Sequence, residues 1–410
     1  MSSEPQDAYV WVWLPGAREP VIAGRLDVDG PIITFTYGQS YLARPEAIPL
    51  YLPELPLQRG PITPRVGDIP GCIADAGPDA WGQRVILNRR IGRDVRDTGD
   101  LTRLTYLLES GSDRIGALDF QESAMDYVPR STGHATLDEL VEAADQVEKG
   151  IPLSPTLDQA LMHGSSVGGA RPKALLTDGD RRLIAKFSST TDTYPVVKGE
   201  FIAMKLARRA GLNVAPVELT STLGKDVLLV ERFDRTEQGD RRLMVSALTI
   251  LELEEMTARY ASYVALADVI RARFTKPAET LSELFSRITF SVLTGNTDDH
   301  PRNHAAFWNG STLTLTPAYD ICPQARSGGE AAQIMEIGRD GWRLSQVAGC
   351  VKRSDAYLLS ENEAREIVDH QIEVIEIQWD EVCEQAKLSE VDKRGFWQRQ
   401  FLNPYALFDY

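Results

Sequence analysis

The chain predicts a two-lobed α+β fold, with an N-terminal β-rich subdomain and a mostly helical C-terminal lobe. Short aromatic and β-branched runs between turn residues fill the first fifty positions. Strand-like runs alternate with one helical stretch between about 174 and 231, and helical spacing dominates beyond Ser246. At 410 residues the chain exceeds what one core usually organises, so boundaries are expected near 110 and 245.

In chain order, Tyr9 to Trp13, Val21 to Leu26 and Ile32 to Leu42 read as strands of a small antiparallel sheet. Leu14-Pro15-Gly16 and Asp29-Gly30-Pro31 supply the turns. A Pro- and Gly-rich stretch follows from Tyr51 to Gly77, then a helix over 78–90 with Trp81, Val85 and Ile86 on one face. Leu137, Leu140, Val141 and Ala144 begin a second helical pattern. Strands are expected at 174–176, 183–187 and 226–231, with a helix over 199–210 that Gly211 caps. After Ser246 come helices, a loop at 296–303, a hairpin over 304–315 and a long helix from Ser360 to about Lys387.

Composition narrows the function. With 43% hydrophobic and 25% charged residues the chain reads as an ordinary globular protein. No apolar run approaches the roughly 20 residues of a membrane span, and the polar, acidic start is unlike a signal peptide. Cys72, Cys322, Cys350 and Cys383 are scattered, which suits reduced thiols in a cytoplasmic protein. A net charge of −15 excludes broad contact with nucleic acid, since phosphate neutralisation needs clustered cations. Arg171 with Lys173 suits a nucleotide's phosphates better.

Four segments carry chemistry. Thr297-Asp298-Asp299-His300-Pro301-Arg302-Asn303 sets a carboxylate five residues before an amide, and Asp320 follows a short hairpin later. Kinases need that set: Asp298 to accept a hydroxyl proton, Asn303 and Asp320 to hold Mg²⁺. Ser165-Ser166-Val167-Gly168-Gly169-Ala170-Arg171-Pro172-Lys173 could cradle phosphates through backbone amides, or be an ordinary surface turn. Lys186 lies in an apolar strand, where burial asks for an anion; Glu200, fourteen residues on, is placed to pair with it. Glu231-Arg232-Phe233-Asp234 ends a strand, either as a hinge that meets adenine and ribose or as a solvated charge cluster. His300 and His304 beside two carboxylates also raise zinc, but Pro301 and Gly295-Asn296 argue against the helix that would need. The other reading of both histidines is that they brace the loop.

Together these segments resemble the HipA family, the serine/threonine kinase toxins of bacterial toxin–antitoxin modules. The resemblance covers nearly the whole chain, including Gly111 to Leu118 in the N-terminal subdomain. It implies a protein-kinase-like fold with an antitoxin-contacting subdomain (1–110), a nucleotide-binding lobe (111–245) and a helical catalytic lobe (246–410). It implies ATP and Mg²⁺ as cofactors. By matched position, Lys186 holds the phosphates, Glu231 and Phe233 take adenine, Asp234 takes ribose, and His300 joins the nucleotide site beside Asn303 and Asp320. Ser166, with Ser165 beside it, aligns with the serine that members phosphorylate on themselves. The resemblance further implies a helix-turn-helix antitoxin of HipB type, operator DNA reached through it, and a protein substrate of the aminoacyl-tRNA synthetase class. Asp299 stands where relatives commonly carry Gly, a charge that could raise the pKa of Asp298 or attract a second cation. Arg171-Pro172 replaces Gln-Glu. A co-repressor with secondary catalysis and a small-molecule kinase are the alternatives.

Overall fold

The computed structural model describes residues 4–91, 101–130, 135–162, 169–189, 191–326 and 328–410. The chain divides into two compact units. Unit 1 comprises Met1–Ser189, Thr220–Val245 and Phe307–Ser311; unit 2 comprises Thr190–Leu219, Ser246–Ala306 and Thr312–Tyr410.

Unit 1 opens on an antiparallel sheet of β1 (Asp7–Val12), β2 (Val21–Asp29), β3 (Ile32–Tyr37), β4 (Pro61–Ile62) and β5 (Leu118–Gln121), in the order β4-β3-β2-β1-β5. β2 and β3 turn at Gly30 (φ +60°), inside the Asp29–Ile32 pair, a conformation that glycine adopts without a Cβ penalty. β3 stops at Tyr37, short of the expected Leu42, because residues 39–42 coil into a helical turn. The Tyr37 hydroxyl donates to the Leu55 carbonyl (2.7 Å) and accepts from the Leu50 amide (2.9 Å), folding the next segment over the sheet. The expected boundary near 110 falls inside this unit, since β5 returns to pair with β1.

A second sheet holds β6 (Lys173–Asp178), β7 (Arg181–Phe187), β8 (Val217–Thr222) and β9 (Lys225–Glu231), in the order β6-β7-β9-β8. The longer helices of the unit are α1 (Ala80–Ile91), α2 (Arg103–Glu109), α3 (Leu137–Glu148) and α4 (Pro155–Met162). Thr136 and Glu139 form a capping box that starts α3. Trp81 and Val85 of α1 and Leu140, Val141 and Ala144 of α3 pack with Ala174, Ala185, Phe187 and Val227 of the sheet. Ile86 instead joins Leu87 and Tyr106, because one helical residue step turns a side chain by about 100°. The loop 307–311 returns to this unit: Trp308 donates its indole N–H to Pro49 (2.8 Å) and meets Tyr51 edge-on at 5.5 Å.

Unit 2 is mostly helical, with α5 (Val196–Arg209), α6 (Tyr263–Arg273), α7 (Pro277–Leu293), α8 (Glu361–Gln385) and α9 (Glu390–Phe396). Gly211 (φ +87°) follows α5, and the Leu212 amide reaches back to Ala207 at 3.1 Å, as the expected cap requires. α8 starts on a Ser360–Glu363 capping box and buries Val368, Ile375, Trp379 and Val382, packing on α5 and α7. Of the short strands, β10 (Met244–Ser246) and β11 (Ala305–Trp308) each span a unit boundary along the chain, and β12 (Leu313–Leu315) lies in unit 2. Among the described residues no helix is long and apolar enough to cross a membrane.

Candidate active site

The loop at 296–303 begins where α7 ends. Gly295 takes φ +67°, and a Cβ there would lie 2.8 Å from the Gln400 carbonyl oxygen, so only glycine fits. The Asn296 amide bonds Ser291 O (2.8 Å), and Gln324 donates to Gly295 O (3.0 Å). Gly295→Ala is expected to lower the stability of unit 2 by about 1–3 kcal/mol, combining left-handed strain with the clash. Urea unfolding measures this, and an unchanged midpoint would contradict the tight packing.

Beyond Gly295 the chain brings the expected acid and amide together. Asp298 is exposed, and Pro301–Asn303 forms a single 3₁₀ turn. The pKa of Asp298 is raised: partial burial of its carboxyl contributes most, Asp320 and Asp299 add to it, and His300 opposes them. Asn303 is buried and its Nδ2 points to the Asp298 carbonyl at 3.5 Å, leaving Oδ1 as the atom with ligand chemistry. The 316–320 segment is pinned beside this loop. The Tyr319 hydroxyl donates to Arg302 O (2.6 Å), and Ala318 exchanges backbone bonds with Asn213 and Ala215 (2.7 and 3.0 Å). Asp320 itself sits at φ +60°, a conformation that costs a non-glycine residue free energy and recurs at functional sites. An amide oxygen and a carboxylate, with phosphates and water completing the shell, is the donor set Mg²⁺ takes.

Two expectations change here. Asp299 is buried and accepts from the Tyr263 hydroxyl (2.6 Å) and from His304 Nε2 (3.0 Å to each oxygen), so its charge is committed within the protein and does not attract a second cation. The zinc alternative loses its basis, because the 3₁₀ turn does not align His300 with His304 and the latter is turned to Asp299. Among the described residues no group of three or more His, Cys, Asp and Glu side chains could hold a metal ion.

In unit 1, Lys173 of β6 and Lys186 of β7 are direct cross-strand partners. Lys173 is buried, and its Nζ lies so close to Gly169 (φ +107°) that a Cβ there would come within 2.1 Å. Gly169, at the end of the glycine-containing segment, is held at the start of α1. Gly169 donates to Asp79 (2.6 Å) and accepts from the Trp81 amide (3.2 Å), while the Trp81 indole bonds the Lys173 carbonyl (2.9 Å). The sequence marks neither Asp79 nor Trp81 as a site residue; Pro78-Asp79 before a helical run marks a helix start but not its partner. Ala170 is exposed. Ser165, Ser166, Val167 and Gly168 lie outside the described residues.

Glu231 closes β9 opposite Leu183, and Phe233 meets Phe307 edge-on at 6.0 Å. Asp234 corrects the ribose expectation. It is 2% exposed, and its carboxylate accepts from Arg232 (2.9 and 2.8 Å), Arg235 (2.8 Å) and the Gly116 amide (2.8 Å). With both oxygens engaged, it braces the segment that follows β9 and does not offer a sugar ligand. Burial alone would raise its pKa, but Arg232 and Arg235 hold it at about 2. Glu200 is buried in α5 of unit 2.

Comparison with known proteins follows the same layout. Residues 165–379, more than half of the chain, match the HipA-like C-terminal domain, and residues 12–121 match the HipA N-terminal domain. Y4mE of Sinorhizobium fredii, named for an expected kinase activity, is 26% identical over 356 residues, 76% of this chain and 79% of that protein. The serine/threonine-protein kinase toxin HipA of Shewanella oneidensis is 26% identical over 183 residues, 38% of this chain and 42% of its own. The solved structure of a Shewanella oneidensis HipA, in complex with HipB and operator DNA, superposes with a TM-score of 0.71 at 21% identity. It covers 97% of this chain and 95% of that one, and so shares the fold. Two domain matches in the family's order, on a shared fold, establish that the chain belongs to the HipA family of kinases.

Proposed function

We propose that this HipA-family chain is a cytoplasmic, ATP- and Mg²⁺-dependent protein serine/threonine kinase that inhibits growth, its substrate an aminoacyl-tRNA synthetase. The observation that carries the kinase reading is the gathering of Asp298, Asn303 and Asp320 on two mutually bonded segments. In this reading Asp298 accepts the proton of the acceptor hydroxyl as its oxygen bonds the γ-phosphorus and the bond to the ADP oxygen breaks. Asn303 and Asp320 hold Mg²⁺, which offsets charge on the phosphate oxygens. Lys173 and Lys186 hold the phosphates with the Gly169-Ala170 backbone; backbone groups at Glu231 and Phe233 meet adenine. Lys186 keeps Glu200 as its proposed partner, and His300 lines the nucleotide site. Ser166, or Ser165, is the proposed site of self-phosphorylation; a dianion there would repel ATP.

Intact-mass spectrometry after incubation with ATP and Mg²⁺ tests this. One added phosphate in the wild type, absent in Asp298→Asn, is expected. No phosphate on the chain or on added synthetase would count against the kinase reading. Transfer is also expected to fall with decreasing pH as Asp298 gains a proton. A pH–rate profile with no acid limb would count against Asp298 as the base.

The fold shared with HipA from a HipB–operator complex supports a second role. A HipB-type helix-turn-helix antitoxin would bind this chain and bring it to operator DNA, with the acidic body making no broad DNA contact itself. Gel-shift titration of the antitoxin checks this, and unchanged operator affinity on adding the chain would count against co-repression.

A further inference from the structure

Tyr263, Asp299 and His304 form a buried side-chain triad, with relative exposures of 0%, 4% and 3%. Asp299 is the residue after Asp298, and His304 is the residue after Asn303. The bond from His304 Nε2 to both Asp299 oxygens (3.0 Å each) therefore ties the two ends of the 298–303 loop together from its buried side. Tyr263 adds a 2.6 Å bond to the same carboxylate and sets its ring perpendicular to the imidazole at 5.6 Å. The frame is itself anchored: the Tyr263 amide bonds Glu336 O (2.9 Å) and the Ala247 amide bonds His304 O (2.7 Å). Among the described residues, the buried His304 Nδ1 has no hydrogen-bond partner. Asp299 is thus the acceptor that fixes the ring's orientation.

We propose that this triad is a clamp that sets the distance between the proton acceptor Asp298 and the metal ligand Asn303, making Tyr263, Asp299 and His304 positioning residues. The inference rests on the kinase reading above. Two neighbouring side chains lock each other inside the protein, so the residues before them, Asp298 and Asn303, are presented at a fixed spacing. Loss of the clamp lets the loop relax. A misplacement of about 1 Å can cost about 10²-fold in rate, and loss of a group that orients a metal ligand costs about 10–100-fold in metal affinity.

The test compares wild type, His304→Leu, His304→Gln and Tyr263→Phe. Mn²⁺ affinity, measured by electron paramagnetic resonance with a non-hydrolysable ATP analogue, is the deciding readout; phosphate transfer from ATP is the second. His304→Leu is expected to weaken Mn²⁺ about tenfold or more, while metal-free analogue binding stays within about twofold. His304→Gln, which keeps a donor near the Nε2 position, should restore most of the loss. A folded His304→Leu with Mn²⁺ affinity within about twofold of wild type would overturn the clamp, whatever its melting temperature. If that variant does not fold, Tyr263→Phe decides by the same readout, with a several-fold weakening expected and none overturning it. No phosphate transfer by the wild type, together with weakened Mn²⁺ binding in His304→Leu, would sink the kinase reading and leave the clamp standing.

Discussion

Asp298→Asn is expected to lower phosphoryl transfer by about 10²–10⁴-fold, the range a positioned general base contributes. The substitution keeps shape and removes only the ability to take a proton. Because Asp298 is exposed, stability should move by no more than about 0.5 kcal/mol. Its neighbours are also left in place: Asn303 bonds the backbone carbonyl of residue 298 and not its side chain. Nucleotide affinity should therefore match wild type while the rate of transfer collapses. Single-turnover transfer from ATP, with a melting curve beside it, gives both numbers, and a variant retaining more than about a tenth of the wild-type rate would remove Asp298 from the mechanism.

The largest effect on stability is expected from Asp234→Ala. Arg232 and Arg235 are almost wholly buried, and Asp234 accepts from both. Removing the carboxylate leaves two buried guanidinium groups with one carboxylate among the described residues, Asp113 at 3.0 and 2.7 Å, beside the backbone carbonyls of Arg114 and Gly116. Breaking such a pair costs about 3–5 kcal/mol. Denaturant unfolding checks this. If Asp234 were instead a ribose ligand, the midpoint would hardly shift and only ATP affinity would fall. The same pair predicts an acid response. The pKa of Asp234 is depressed to about 2, so its contribution is complete above the usual Asp value and is lost as pH falls towards 2.

The sheet strands and long helices were legible wherever burial imposes a period. β1, β2, α3 and α8 carry apolar residues at the spacing their packing demands, and turn residues such as Gly30 and Gly211 mark where they end. β8 escaped because its Glu-Leu-Thr-Ser-Thr run is half exposed and shows no alternation a reader could follow. Within the site, Asp298, Asn303 and Asp320 were legible from spacing alone, since one loop and one short hairpin bring them together. What spacing does not show is which way a charged side chain turns. Asp234 and Asp299 read as surface chemistry, yet each is buried against partners far away in sequence: Gly116 lies 118 residues before the first, and Tyr263 lies 36 before the second. Trp81 was visible as part of a helical face, but its indole bond to Lys173 spans 92 residues and leaves no local trace.

The return of residues 307–311 to unit 1 has a consequence for how the protein is made. A ribosome adds about 5–20 residues per second, so the Tyr51 and Pro49 seat emerges well before Trp308 is there to fill it. Between Val245 and Phe307 synthesis continues for several seconds on sequence that belongs to unit 2. During that interval unit 1 lacks its last piece, and a chain interrupted there presents an uncovered aromatic seat to chaperones and proteases.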